Sequence, residues 1–162
     1  MTSAAPPADP LAAPTLAWFA DVSVDVGEPL VLGDGPAGLR RVVPILGGQA
    51  RGEGWSARVL QGGADFQRIA SETVSELDAR YGLETDAGDR IYVQNRALRT
   101  APAEVMARLL RGEPVDPAEV YFRCTPSFET TSRALRWITE RLFVGVGMRH
   151  PARVEMRFFV LQ

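Results

Sequence analysis

The chain has 162 residues, 46% of them hydrophobic, which is the length of one ordinary domain with apolar material for one core. Its 18 basic and 20 acidic side chains leave a formal charge of -2, so no global electrostatic drive toward nucleic acid or an anionic membrane is expected. Every basic side chain is arginine, which excludes a Schiff-base or phosphate-loop lysine, and the single cysteine, Cys124, excludes an internal disulfide and a cysteine zinc cluster.

Residues 1–14 are rich in Ala and Pro and lack the basic stretch and long apolar run of a secretory signal. They are expected to be a flexible arm on a single domain spanning 15–162, and the lone cysteine fits a cytoplasmic setting. The run from Trp18 to Val26 alternates at period two after Phe19, the signature of a half-buried strand, and Gly27 with Pro29 ends it. Leu39 to Leu46 is a second strand, which Pro44 marks as edge, bulged or terminal. Trp55 to Leu60 is a third, bracketed by Gly52-Glu53-Gly54 and Gly62-Gly63, and glycine this dense points to the bulges that curl a sheet into a barrel.

Thr73 to Thr85 is the clearest strand, with Leu77, Ala79, Tyr81 and Leu83 on one face, and Asp86-Ala87-Gly88-Asp89 turns it into a strand from Arg90 to Leu98. Pro102 to Arg111 instead has helical spacing at Val105, Met106, Leu109 and Leu110, ended by Gly112, and reads as a lid or plug beside the barrel. Val120 to Thr125 and Arg153 to Leu161 are strands. Between them, Ser132 to Leu142 fits one or two helical turns before Phe143 to Gly147 returns to extended form. Seven to ten strands in one short chain favour a mostly β fold, a single closed antiparallel β-barrel with one or two short helices.

The chemistry is sparse. One histidine, His150, cannot supply a histidine-rich metal site, and Pro151 beside it places it in a solvated turn. No metal and no cofactor are therefore expected. Cys124 shares a face with Val120 and Phe122, as a buried structural thiol would. Gly33 to Gly38 has glycines at a dinucleotide-binding spacing but precedes a strand-like run rather than a helix, and reads as a loop.

Polar residues on the apolar face of a strand carry more weight, because a buried polar group needs a partner or a ligand. Arg41 has the parity of Leu39, Val43 and Ile45, and Asn95 that of Ile91, Val93 and Ala97. Asp65 follows Gly62-Gly63-Ala64 and precedes Phe66, where a close backbone and an aromatic ring can desolvate a carboxylate and raise its pKa toward general-base use; the alternative is a turn aspartate bonding nearby amides.

The ordered set Gly47-Gly48, Gly52, Gly62 to Phe66, Leu77 to Tyr81, Thr85 to Gly88, Tyr121-Phe122-Arg123, Phe128-Glu129-Thr130, Trp137 and Phe143-Val144-Gly145 resembles the domain-of-unknown-function 3237 family over Ala17 to Leu161. The resemblance implies a compact antiparallel β-barrel whose interior pocket gathers several of these polar residues. Phe66 replaces the usual Trp, Thr139 an Asn and Ala97 a Gly, which implies an altered ligand choice if those positions line the pocket.

Two functions follow as expectations. The first is a cofactor-independent isomerase, cyclase or lyase acting on a small aromatic or carbonyl-bearing molecule, with Asp65 or Glu129 as base and Tyr81 as acid or oxyanion donor. Arg41, Arg80 and Arg123 would clamp an anion, Asn95 would orient the substrate, and Trp55, Phe66, Phe128 and Trp137 would form apolar walls. The alternative is a non-catalytic barrel binding an acidic or aromatic small molecule. A solidly packed structural subunit is the third option. Asp65, Tyr81, Asn95, Arg123 and Glu129 are expected to converge on one pocket, and a homodimer through an exposed barrel face is the default assembly.

Overall fold

The computed structural model describes Asp9 and residues 11–162; most of the expected arm, residues 1–8 and 10, lies outside the described residues. Among the described residues ten strands follow one another with a single α-helix: β1 Leu16–Val26, β2 Leu30–Gly35, β3 Gly38–Gly52, β4 Trp55–Val59, β5 Ala64–Ser71, β6 Val74–Thr85, β7 Arg90–Thr100, α1 Ala103–Leu110, β8 Tyr121–Thr130, β9 Phe143–Arg149 and β10 Arg153–Leu161. All pairings are antiparallel, and β1 pairs both β3 and β10, so the sheet closes on itself.

The ten strands make eight staves. β1 pairs β3 from Ala20–Gly52 to Val26–Ile45, and β2 continues along the same side of β3 from Leu30–Val42 to Gly35–Gly38. On the other side of β3, β4 and β5 share one stave in the same way, and β6 pairs both. The result is an up-and-down barrel, the closed architecture that leaves few free edges.

Pro44 lies inside the long strand β3 rather than at an edge or end. Its carbonyl accepts from Gly27 N–H at 2.9 Å, in the break between β1 and β2, so the N–H that proline lacks falls where the ladder is already interrupted. The register slips beside it, with Asp25 opposite Gly47 but Val26 opposite Ile45, which leaves Leu46 as the extra residue of a bulge. Gly48 (φ 134°) makes the sharp coil possible, because a Cβ there would lie 2.0 Å from the Ser23 carbonyl oxygen.

The bulge beside Pro44 is one of the three settings expected for it, whereas three segments differ from expectation. Leu30 to Gly35 is a strand, Asp65 lies in β5 and not in a turn, and β8 runs through Pro126 to Thr130. The helical spacing after Ser132 becomes a short 3-10 turn, Arg136–Glu140.

Period-two alternation sends one face of every stave inward, and the interior has two unlike ends. At one end Phe19, Phe128, Phe143 and Phe158 pack with Trp55 and Trp137, with ring centroids 4.9 Å apart for both Phe19–Phe143 and Phe128–Phe143. At the other end polar side chains stand among the inward aliphatic ones. There α1 docks through Val105, Met106 and Leu109, which form a small second core with Ala101. Ser75 Oγ donates to Met106 Sδ at 3.4 Å and Arg41 donates to the Leu110 carbonyl at 3.2 Å, so the helix closes the polar end as a plug. No helix among the described residues is long and apolar enough to cross a membrane.

Candidate functional site

The polar end is built by strand parity. β5 sends Asp65 and Gln67 inward, β6 Tyr81, β7 Asn95 and Arg99, and β9 Arg149, and these line one cavity of about 40 Å³. Arg41, inward from β3, stands behind Gln67: its Nε donates to Gln67 Oε1 at 2.8 Å, and Gln67 Nε2 donates to Asp65 Oδ2 at 2.6 Å. The Asp78 backbone N–H donates to Asp65 Oδ1 at 3.1 Å, so the carboxylate is braced from two sides.

Electrostatics at this end are dominated by burial. Desolvation raises the Asp65 carboxyl above the usual range, and the Gln67 hydrogen bond, Arg99 and Arg41 only partly oppose it. Burial lowers Arg99 to about 10, with attraction from Asp65 set against repulsion from Arg149 and Arg41. Arg149 and Arg41 are lowered too, also chiefly by burial. Exposed Glu28 adds a weaker attraction on Arg149 from outside. Inside the barrel, then, three guanidiniums share one carboxylate.

Four buried side-chain atoms among the described residues have no hydrogen-bond partner in the protein: Tyr81 Oη, Asn95 Oδ1, Arg99 Nε and Arg149 NH1. All four belong to residues lining this one cavity. An unpaired buried polar group costs about 1–3 kcal/mol, so four converging on one volume form a concentrated binding potential. Larger grooves of about 900 and 1000 Å³ run over the outer surface. They are broad clefts between outward side chains, and none of the four unpartnered atoms lines them.

Not all of the expected site residues reach the cavity. Asp65, Tyr81 and Asn95 line it and Arg41 supports it, but Arg123 and Glu129 lie exposed on the outer face of β8. Their neighbours Phe122, Cys124 and Phe128 hold the inward parity, so the expected convergence of five residues is corrected to three. Arg80 points outward from β6 and pairs with Asp78 at 2.9 Å, because Tyr81 takes the inward position. Phe66 is half-exposed on the outside of β5, so the barrel interior, and not this ring, desolvates Asp65. Trp55, Phe128 and Trp137 belong to the aromatic end and do not wall the cavity.

Gln67, Arg99 and Arg149 were not singled out by the sequence reading, although parity was a usable signal: Arg99 shares it with Asn95, and Arg149 with Gly145 and Gly147. Cys124 is buried in the core, and burial pushes its thiol up to about 11, which makes it a poor nucleophile. Among the described residues no group of three or more His, Cys, Asp or Glu side chains is placed to hold a metal ion. Glu129→Gln and Arg123→Ala should leave any ligand binding unchanged and the melting transition nearly so, measured by calorimetry and thermal denaturation, because both side chains lie on the outer face and Arg123 makes only surface contacts, to the Phe122 carbonyl and the Tyr121 ring.

Comparison with known proteins gives a consistent result. The family model described as a protein of unknown function (DUF3237) matches residues 14–161. A UPF0311 protein of Rhodopseudomonas palustris is 45% identical over 133 residues, covering 82% of this chain and 87% of the relative. The crystal structure of a conserved protein of unknown function from the same organism superposes with a TM-score of 0.87 at 39% identity, covering 93% of this chain and 98% of that one. A protein of unknown function from Clostridium acetobutylicum superposes at 0.86 with 31% identity, over 94% of this chain and 99% of that one. An enzyme from Penicillium herquei superposes at 0.70 with 14% identity over 96% of this chain and 99% of that one, a likeness of fold alone.

Proposed function

This chain belongs to the DUF3237 family, and from that premise and the charged cavity we propose that it is a barrel that binds a small acidic molecule in its interior. The observation that carries the reading is the charge imbalance, with Arg41, Arg99 and Arg149 facing Asp65 as the one interior carboxylate among the described residues. Burying an ion costs several kcal/mol unless it is paired, so a positive interior is offset when an anion enters. The test is isothermal calorimetry with small carboxylates against chloride at matched ionic strength. Saturable binding of a carboxylate supports the reading, and no heat from any of them removes it.

A second reading rests on one specific observation, that Asp65 and Tyr81 line the same cavity and the Asp65 carboxyl is raised. In that reading Asp65 takes a proton from a carbon beside a carbonyl while Tyr81 Oη–H donates to the carbonyl oxygen. The same proton then returns at another carbon, an isomerisation that needs no cofactor.

Asp65→Asn separates the two. If the barrel only binds, the variant should hold carboxylates several-fold more tightly, because a competing negative charge is gone. If it is an enzyme, the variant should bind substrate and fail to turn it over. The pH profile follows the same residue. A folded-state pKa raised above the unfolded one favours the folded protein at low pH and loses that contribution as pH rises through it. Carboxylate affinity of the unsubstituted protein should fall over the same range as Asp65 ionises, and Asp65→Asn should flatten that part of the profile. A cytoplasmic setting and a homodimer are also proposed, supported by the single buried cysteine and by the exposed outer-face residues Phe66, Leu98, Tyr121 and Val146.

A further inference from the structure

Resting on the acidic-ligand reading, we infer that the ligand is a small aliphatic hydroxy acid, its carboxylate on Arg99 and Arg149 and its hydroxyl between Tyr81 and Asn95. The four unpartnered atoms specify this by what each can do. Arg99 Nε and Arg149 NH1 are donors only and call for anionic acceptors. Asn95 Nδ2 donates to Met156 Sδ at 3.1 Å. A thioether can only accept, so this contact fixes the amide orientation and leaves Oδ1, buried without a partner on a residue that lines the cavity, as an acceptor.

Asn95 Oδ1 therefore calls for a donor on the ligand, while Tyr81 Oη can donate or accept. A hydroxyl is the smallest neutral group that donates to Asn95 and accepts from Tyr81 at once. A carbonyl leaves Asn95 unsatisfied, and an ammonium group would sit among three guanidiniums. Size and wall chemistry narrow the class further. The cavity of about 40 Å³ is far below the ~150 Å³ that admits benzene, so even a two-carbon acid enters by moving the walls slightly, and an aromatic acid would have to displace them much further. Val24, Val26, Val43 and Ile45 offer an apolar surface to a short carbon chain, which phosphate does not have.

The experiment is calorimetric titration of the full chain with glycolate, acetate, ethylene glycol, benzoate and inorganic phosphate at one ionic strength. Glycolate should bind about tenfold more tightly than acetate, the worth of the hydroxyl's two hydrogen bonds, with no binding of ethylene glycol or benzoate. Asn95→Leu should bring the glycolate-to-acetate ratio close to one while acetate still binds. Tyr81→Phe, which removes one atom that has no partner in the fold, should reduce the ratio several-fold and serves if Asn95→Leu does not fold. Acetate and glycolate binding equally, benzoate binding more tightly, or phosphate outcompeting glycolate each overturns the hydroxy-acid inference and leaves the acidic-ligand reading standing. Absence of binding by every anion overturns both.

Discussion

An Arg99→Met protein should lose carboxylate binding by roughly 2–5 kcal/mol, between thirtyfold and several thousandfold, while melting no lower than the unsubstituted protein. Arg99 is 2% exposed, its guanidinium carbon lies 5.8 Å from the centroid of the Phe122 ring, and its Nε has no partner in the protein. Methionine is unbranched and apolar and can follow much of the same channel past Phe122. The sign of the stability effect comes from the lowered pKa of about 10. A base whose folded-state pKa is depressed loses that contribution as pH falls through the folded value, so near neutrality the charged side chain carries its full penalty. Removing it removes the penalty, as replacement of buried charges by apolar groups often does. Calorimetry and thermal denaturation check the two halves separately. Unchanged affinity would show that the anion does not rest on Arg99, and a large fall in melting temperature would make this arginine a structural strut.

The largest expected loss of stability is at the opposite end of the barrel. Phe158→Ala should cost about 3–5 kcal/mol, read as a lower denaturant midpoint with unchanged slope, or as a fall of roughly 10 °C in melting temperature. Phe158 is 1% exposed and its ring centroid lies 6.0 Å from that of Phe128. Across the ladder stands Gly145, where even a Cβ would come within 2.7 Å of the Phe158 ring and of Cys124 Sγ. No side chain at Gly145 can swing into the space, so the cavity left by alanine collapses poorly and the cost falls toward the upper part of the range. Carboxylate affinity of the folded variant should be retained, because the ring is absent from the polar cavity. A loss below about 1 kcal/mol would mean that this end repacks freely.

Composition and alternation by themselves determined the class of this protein: strands separated by glycine turns, closed into one barrel, with a short helix after the Arg90 strand and no means of forming an internal disulfide. They also determined that Arg41 and Asn95 face inward, because within one strand the side-chain period is two and the apolar neighbours give the phase. Strand ends were less legible. Alternation carries the Arg90 strand only to Leu98 and the Phe143 strand only to Gly147, so Arg99 and Arg149 fall just beyond them. Their charge looks like a solvated strand end when the partner strand is unknown. Gln67 is missed for a related reason: the glycines before Asp65 read as a turn, so Asp65 stands out as a candidate carboxylate but the strand that carries both residues does not.

Only the tertiary structure decided which of these positions meet. Closure of β1 onto β10, the bulge at Leu46 and the sharing of staves by β4 and β5 set the register between strands far apart in sequence. That register brings Asp65, Tyr81, Asn95, Arg99 and Arg149 to one cavity, whereas Arg80, Arg123 and Glu129 stand outside by the parity of their own strands. Parity can be read within a strand, but depth along the barrel axis depends on pairings between strands, and a strand's own sequence does not encode them.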